Sequence, residues 1–372
     1  MTDWRDQPEG INQFLYNHLR NDRLAEIFRL GNLNQSEDDA IWAFLASSSF
    51  DYRKNHALRI MRYTLEHHEK AEPFYRVLQQ IGKIEEGVQR FNPYIRDHIS
   101  HSVYVYLLGI VLIQKFANRV RNWFPFRWKL ASLLHDFGNP PHLLSNSLKD
   151  YLSATEIDVT TAEHTRIQTS FSFEGIETLK HRQGKPDNGF EYIQNRLRNW
   201  GISIDIKHEF NRNLENGKIE HGILGALLVL RNIDKLYSIH NPRDIETDSE
   251  LQRVYGRFSE QVGWGRNHFD EEIVDACAAI SLHSLAGELS NLEISYEDSP
   301  LGFLLVLCDT IQEWDRFSPG QRVYDPHSVK VEFRDDLPCV TLSMPSGKVR
   351  LIRNIIEKLR IYGERIHVRR RR

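Results

Sequence analysis

Apolar residues recur at three- and four-residue spacing along most of the chain, a pattern that predicts amphipathic helices. Residues 11–90 contain four such stretches: INQFLYNHLR, DDAIWAFLASS, ALRIMRYTLEHHEK and FYRVLQQIGKIEEGVQRF. More strongly apolar helices are predicted over residues 95–120, 127–137, 219–237, 270–288 and 300–317. The pattern therefore predicts a mostly α-helical protein.

The helical pattern is interrupted twice and changes near the C-terminus. Residues 145–215 are rich in Ser, Thr, Asn, Lys and Glu, and we interpret them as a partly helical insertion. Residues 239–267 are loop-like. VKVEFRDDLPCVTLSM (329–344) alternates like two strands across a turn, and residues 347–365 return to a helical pattern. The expected fold is a helical bundle with insertions at about 145–215 and 239–267 and a small C-terminal α/β module.

These changes divide the chain at about residues 90 and 320. We expect an N-terminal helical region (1–90) that packs on the core, a catalytic domain (91–320) and a strand-plus-helix module (321–372) with a basic tail. A solvated, disordered end is favoured for the tail RIHVRRRR over a nucleic-acid contact. The module is a candidate cover for the site or a contact in a homo-oligomer, and the sequence leaves both open.

Composition adds few constraints. The chain is 40% hydrophobic and 27% charged with a net charge of -3, which gives no global reason to expect a nucleic-acid or membrane partner. Cys277, Cys308 and Cys339 form no CxxC pair, so a disulfide framework or thiolate zinc site is not expected. The N-terminus lacks a signal pattern and the apolar runs are too short for a bilayer. We expect a cytoplasmic protein without membrane contact.

Six polar residues stand at the ends of apolar runs that are predicted to be buried. They are His101 (opening HSVYVYLLG), His135 and Asp136 (ending LASLLHDFG), His221 (opening HGILGALLVL), His283 (ending ACAAISLH) and Asp309 (ending LGFLLVLCD). Each alone is commonly a hydrogen-bonded core histidine or a helix cap. Burying all six without partners would cost about 2–7 kcal/mol per polar group, and convergence on bound cations removes that cost.

Three of these stretches carry a family resemblance. HSVYV, LASLLHDFG and CDTIQEWDR resemble, in this order, the first metal-binding helix, the defining His-Asp helix and the last helix of the HD superfamily of metal-dependent phosphohydrolases. The resemblance covers roughly residues 95–317 and implies an HD-type helical bundle. It selects His101 over His98 as the first ligand, which leaves His98 in the second shell or at the surface.

The resemblance also implies a metal arrangement. Asp136 would bridge two divalent transition metal ions. One ion would also be bound by His101, His135 and Asp309, and the other ion by His221 and His283. Nitrogen and oxygen ligands of this kind suit transition metals better than Mg. Mn and Fe are the expected metals, and Co, Ni and Zn are alternatives.

The implied reaction is hydrolysis of a nucleotide-type phosphate ester by a hydroxide that bridges the metals. No Gly-rich phosphate loop or Ser/His/Asp triad competes with it. Asn139 and Leu144 stand where deoxynucleotide triphosphohydrolases carry further histidines, and those enzymes use fewer ligands than this chain offers. We therefore expect a phosphodiesterase that acts on a nucleotide, a cyclic nucleotide or a cyclic dinucleotide.

Other residues near the motifs have candidate roles. His142 could protonate the leaving oxygen or be a solvent-exposed turn residue. Asn139, Gln312 and Arg316 are candidates for substrate binding, with Arg316 as a phosphate clamp or as a salt bridge to the insertion.

Two other functions stay open. A mixed-valent di-iron HD-fold oxygenase shares the ligand order, although Asn139 occupies the region of its usual substrate-holding Lys. A non-catalytic nucleotide-sensing HD module is disfavoured by the presence of all six ligands.

Overall fold

The structure, a computed structural model, is described for residues 10–19, 35–47, 49–66, 72–91, 97–116, 124–145, 173–179, 188–238, 269–289, 291–312, 328–334, 337–344, 346–361 and 363–370. Within these residues the protein is mostly α-helical, with small sheets near the C-terminus. The fold class predicted from the apolar periodicity is therefore confirmed at this level. None of the described helices is both long and apolar enough to cross a membrane.

The helices follow the predicted apolar stretches closely. In chain order they are α1 (Gly10–Leu19), α2 (Gln35–Ala46), α3 (Phe50–Glu66), α4 (Glu72–Phe91), α5 (His98–Phe116), α6 (Phe124–Leu134), α7 (Gly189–Asn199), α8 (Ile206–Glu215), α9 (His221–Ser238), α10 (Val274–Glu288), α11 (Pro300–Ile311) and α12 (Ser346–Ile356). A single π-helical turn, Phe269–Ile273, leads into α10. Helices α9, α10 and α11 pack side by side at the centre, against α5 and α6.

Three local predictions differ from the structure. Helix α6 ends at Leu134 rather than at residue 137, and residues 139–145, which begin with Asn139-Pro140-Pro141 and were not predicted to be helical, form a new helical turn. Proline is compatible with a first turn because the N–H it lacks would have no partner there. Helix α11 ends at Ile311 rather than at residue 317, and residues 313–317 lie outside the described part.

The segment interpreted as an insertion contributes to the core. Helices α7 and α8 bury Phe190, Ile193, Leu197, Ile206 and Phe210, which belong to the same hydrophobic cluster as the central helices. Their apolar residues are few but concentrated on one face, which is enough to pack a short helix. The stretch from residue 188 onward is thus part of the helical body.

The C-terminal module contains two three-stranded sheets. Strands β2 (Ser328–Arg334) and β3 (Leu337–Ser343) pair antiparallel, as the alternation predicts, and β6 (His367–Arg370) joins β3 in parallel. The second sheet has the order β1 (Ile294–Ser295), β4 (Leu359–Ile361) and β5 (Glu364–Arg365). The prediction of helix over 347–365 and of a disordered tail is therefore wrong from residue 359 to residue 370.

Candidate metal centre

The six predicted ligands come from five separate segments whose ends meet in the helical body. His101 lies in the first turn of α5, and His135-Asp136 follow α6 directly in a turn (residues 135–138) that we call the His-Asp turn. His221 is the first residue of α9, His283 lies in the third turn of α10, and Asp309 lies in the last turn of α11. His101, His135, Asp136 and His283 are buried, and Asp309 is partly buried.

Two glycines let α9 approach the site closely. A Cβ atom on Gly138 would lie 2.1 Å from the carbonyl oxygen of His221, so only glycine allows α9 to touch the His-Asp turn. A Cβ atom on Gly222 would lie 2.8 Å from the Ile280 carbonyl oxygen on α10. These contacts place the N-terminus of α9 against both neighbouring ligand segments.

A buried ion pair aligns the two helices that carry the central histidines. Arg127 on α6 and Asp275 on α10 form an ion pair, with both side chains almost fully buried. Each stands eight residues before a ligand, His135 and His283 respectively. Eight residues cover nearly the same length on both segments. The ion pair therefore aligns the segments so that the imidazole centroids of His135 and His283 lie 5.0 Å apart. Arg196 on α7 also reaches Asp275, at 2.9 Å.

His101, His135 and Asp309, which we call the first group, form a compact cluster. The Nε2 atom of His101 lies 2.8 Å from Oδ1 of Asp309 and 3.2 Å from Nε2 of His135. His135 Nε2 lies 3.7 Å from the same Asp309 oxygen. Ligand atoms of all three residues lie within 4.8 Å of one another, a spacing that can hold one metal ion.

His221 and His283, which we call the second group, face the other side of Asp136. Oδ1 of Asp136 lies 3.8 Å from Nε2 of His221 and 3.9 Å from Nε2 of His283. Oδ2 of Asp136 lies 3.2 Å from Nε2 of His135 and 3.8 Å from Nε2 of His101. The two oxygens of this carboxylate therefore face different groups of histidines, as the bridging role implied by the resemblance requires.

Three of the imidazoles are held with the same nitrogen turned toward the cluster. Nδ1 of His101 lies 2.5 Å from the side-chain oxygen of Gln312. Nδ1 of His135 lies 2.8 Å from the Ser132 carbonyl, and Nδ1 of His283 lies 2.5 Å from the Ile280 carbonyl. These oxygens only accept, so each Nδ1 donates its N–H and leaves the Nε2 lone pair of the neutral ring for another partner.

Charge in the site is uneven. Burial opposes ionisation of Asp136 and Asp309, but the neighbouring His135, together with His101, holds the pKa of both carboxyls well below their usual range. Burial also opposes a charged His135, but Asp136 and Asp309 outweigh it and raise the pKa of His135 to about 10. In the metal-free site the protonated His135 balances these two carboxylates, and a bound metal cation would take over that charge.

The second group has the opposite electrostatics. Burial lowers the pKa of His221 to about 4 and also lowers the pKa of His283, with a further lowering of each by a neighbouring histidine. Both imidazoles are therefore neutral at pH 7, the form in which histidine binds metals. Nε2 of His283 is buried without a hydrogen-bond partner in the described part of the chain, which is costly unless something else binds it.

A metal fits these residues in donor type and in number. A second possible cluster, besides the first group, contains His135, Asp136 and His283. Because the single Nε2 lone pair of His135 can bind one ion, only one of the two clusters can use it at a time. With His135 in the first group, His221 supplies the additional nitrogen near Asp136.

The residues predicted to contact substrate occupy different positions. Asn139 is buried and donates from its amide to Oδ1 of Asp136 at 2.7 Å. Gln312 is 2% exposed and holds His101. Both amides therefore orient ligands, a role that the prediction of substrate binding did not include. His142 is half-buried, with Nδ1 bonded to the Ile219 carbonyl at 3.1 Å, and Arg316 lies outside the described residues.

Sequence reasoning missed two carboxylates beside the ligands. Glu85 on α4 is fully buried and lies 2.9 Å from Nδ1 of His98, and burial raises the pKa of Glu85. Glu220 precedes α9 and accepts hydrogen bonds from the backbone N–H groups of Gly222 and Ile223. Glu220 next to His221 was visible in the sequence as a helix-start signal, whereas the pairing of Glu85 with His98 depends on how α4 packs on α5.

Comparison of the chain with models of protein families, with curated proteins and with solved structures gave no match.

Proposed function

We propose that the chain is a metal-dependent phosphohydrolase of the HD type, acting as a phosphodiesterase on a nucleotide or a cyclic (di)nucleotide. The observation that carries this proposal is the convergence of three imidazole Nε2 atoms, of His101, His135 and His283, on two carboxylates. A core network of ordinary hydrogen bonds would satisfy each lone pair with an N–H or O–H donor. Here Nε2 of His283 has no such donor in the described part of the chain. The carboxylates of Asp136 and Asp309 attract positive charge, which is a proton on His135 in the metal-free site and would be metal ions in the loaded site.

The residues divide naturally between two divalent ions. The first group would hold one ion, the second group would hold the other, and Asp136 would offer one oxygen to each. Mn or Fe suits this mixture of nitrogen and oxygen donors, with Co, Ni and Zn as alternatives. Such ions, when bound, would lower the pKa of a water molecule and neutralise charge on a phosphate.

The remaining chemistry belongs to side chains around the ions. Attack of a water oxygen on phosphorus breaks the bond from phosphorus to the leaving oxygen, which must gain a proton. We assign that proton donation to His142, because its Nδ1 is held by Ile219 and its ring centroid lies 6.1 Å from that of His221. The products are an alcohol and a phosphate monoester.

Two features favour a diester over a deoxynucleotide triphosphate as substrate. The amide of Asn139, which stands where triphosphohydrolases of this type carry a histidine, is engaged by Asp136. The second group adds ligands that those enzymes do without, and both of its imidazoles lie 3.8–3.9 Å from Oδ1 of Asp136. A site with two ions is suited to charge on both the attacking and the leaving oxygen.

Hydrolysis of bis-p-nitrophenyl phosphate by Mn²⁺-loaded protein tests the proposal. We expect release of nitrophenol by the wild type and by His208→Ala, which removes an exposed histidine on α8. His135→Ala and Asp136→Ala should reduce the rate to that of Mn²⁺ alone. Equal rates in the wild type and both site variants would remove the phosphohydrolase assignment.

A parallel measurement separates the oxygenase alternative, which uses the same ligand types. Iron-loaded protein should hydrolyse nucleotide diesters without consuming oxygen. Oxygen uptake that requires His135 and Asp136, together with no diester hydrolysis, would replace the phosphodiesterase with an oxygenase. A screen of cyclic nucleotides and cyclic dinucleotides with the same protein then identifies the substrate.

A further inference from the structure

Positive charge is concentrated at the C-terminal end of the chain. Residues 346–372 contain ten Lys and Arg against two Glu, whereas the rest of the chain contains 38 Lys and Arg against 49 Asp and Glu. The net charge of -3 therefore conceals an acidic body and a basic C-terminal segment. Separation of this kind is typical of proteins that bind a polyanion on one surface.

The structure arranges part of this charge in a row. From Arg365 to Arg369, alternate residues point in opposite directions: Ile366 and Val368 pack against the core, while Arg365, His367 and Arg369 are exposed. Arg365 ends β5 and His367 begins β6. Residues two apart in extended backbone are separated by about 6.6 Å, so the three exposed side chains lie along one side of this segment. Arg370, also exposed, extends the positive charge at its end.

This row is not neutralised by neighbouring carboxylates. Among the described residues, no Asp or Glu lies within ion-pair distance of Arg365, Arg369 or Arg370, whereas Arg360 on β4 pairs with Glu293 at 2.7 Å. Strand β6 also stands at the edge of its sheet, with β3 on one side. The exposed guanidinium groups are thus available to a partner that supplies the anions.

We propose that Arg365, His367, Arg369 and Arg370, the arginine row, bind the phosphate backbone of single-stranded RNA or DNA. Guanidinium groups bind phosphate oxygens through paired hydrogen bonds, and exposed arginines with no carboxylate nearby in the described residues complement a partner with one negative charge per nucleotide. An acidic peptide carries charge irregularly and lacks the geometry of phosphate. The acidic remainder of the chain would repel the nucleic acid elsewhere and confine it to this row.

The arginine row belongs to a module that is attached to the helix carrying His283. Nζ of Lys358 donates to the carbonyl oxygen of Ala286 at 2.5 Å, and the side chain of Ile355 lies beside Gly287, one turn after His283 on the same face of α10. The binding proposal does not depend on the metal centre, and a chain without phosphohydrolase activity would still bind RNA through this row.

Fluorescence anisotropy of a labelled oligouridylate, titrated with the full-length chain in EDTA, tests the proposal. We expect the triple variant Arg365→Glu, Arg369→Glu, Arg370→Glu to bind about tenfold more weakly or worse, with the slope of log affinity against log salt reduced by about two. The control Arg59→Glu, Arg198→Glu reverses two exposed arginines on α3 and α7 and should bind as the wild type does.

The variant also excludes a purely protective role for the charges. Charged side chains on an edge strand prevent aggregation, and glutamate preserves that protection while removing phosphate binding. Unchanged folding of the variant is checked by circular dichroism. Equal affinity of the wild type and the triple variant would overturn the proposal. Competition by polyglutamate or phosphatidylserine vesicles as strong as that by unlabelled oligouridylate or oligothymidylate would also overturn it. A preference for duplex DNA would overturn the assignment of a single-stranded partner.

Discussion

The two groups of the candidate metal centre differ in spacing and in charge. The first group is compact, with His101 2.8 Å from Asp309, and the pKa of His135 is raised to about 10. The second group is looser: both imidazoles stand 3.8–3.9 Å from Asp136, and the pKa of His221 is lowered to about 4. The side chain of His221 is also 27% exposed, whereas that of His135 is fully buried.

This difference indicates that the two ions would bind with unequal affinity. The first group joins a full carboxylate to two oriented imidazoles, so it attracts a cation strongly. The metal ion must, however, compete with the proton on His135. The second group offers neutral imidazoles and a share of Asp136, so it has little charge of its own. We expect the first group to load first and the second to complete the site, and four experiments examine this order.

The largest effect should come from removing one ligand from each group. His101→Ala is expected to abolish hydrolysis and to lower metal content below one ion per chain, because it disrupts the group that binds first. His221→Ala should keep one ion with much reduced hydrolysis. Metal content is measured by mass spectrometry after dialysis. His142→Ala is the control, and we expect it to retain two ions per chain. Two ions per chain in His221→Ala would contradict the assignment of the second group.

Breaking the buried ion pair tests whether the two groups depend on one helix register. Asp275→Asn leaves Arg127 buried without its carboxylate, which should lower the free energy of unfolding by about 3–5 kcal/mol. Urea denaturation of the metal-free protein measures it. Glu293→Gln breaks the exposed pair with Arg360 and should cost less than about 1 kcal/mol. Similar losses in both variants would show that the buried pair has no special structural role.

Gln312 offers a test confined to the first group. Gln312→Ala removes the acceptor that fixes the orientation of His101, and loss of such a partner typically lowers metal affinity about 10–100-fold. The effect should appear in the tighter of two phases of a Mn²⁺ titration. Asn216→Ala, which removes an exposed amide directly after α8, is the matched control. A change confined to the weaker phase would reverse the assigned loading order.

The pH dependence of binding should differ between the groups. The first ion must displace the proton of His135, so its affinity is expected to rise up to about tenfold per pH unit through neutral pH, while the second ion shows little change above pH 6. Mn²⁺ titrations at several pH values would show it. In the metal-free protein, the charged His135 contributes stability below about pH 6.5, and this contribution is lost as the pH rises through about 10.

The sequence predicted the helices well and singled out polar residues that the structure brings together, because both depend on local signals. Apolar spacing placed α5, α9 and α10 within a few residues, and polar residues at the ends of buried runs marked His101 and Asp309. The sequence was less informative about which side chains contact one another in the packed site. Gln312 looked like a substrate contact, but the structure shows it hydrogen-bonded to His101 on another helix. Asn139 also looked like a substrate contact, and its amide donates to Asp136, three residues before it.

The C-terminal strands show the same difference between what local sequence signals predict and what contacts between distant residues decide. The sequence predicted helix over residues 347–365 and a solvated tail at RIHVRRRR, because the spacing of apolar residues fits a helix and the end of the chain is highly charged. Strand β6 forms because β3 presents a partner edge, an interaction between residues more than 25 positions apart. Local propensity cannot report such pairing, because the hydrogen bonds belong to two separate segments.

The sequence by itself determined the class of fold, the order of the helices and the identity of the residues able to bind metal. It did so because burial of apolar faces and the cost of burying polar groups act on each segment separately. Only the tertiary structure decided that the two oxygens of Asp136 face different histidines and that α6 and α10 run in register. Those facts depend on contacts across the chain, such as Gly138 against His221 and Arg127 with Asp275, whose energies come from residues that are distant in sequence.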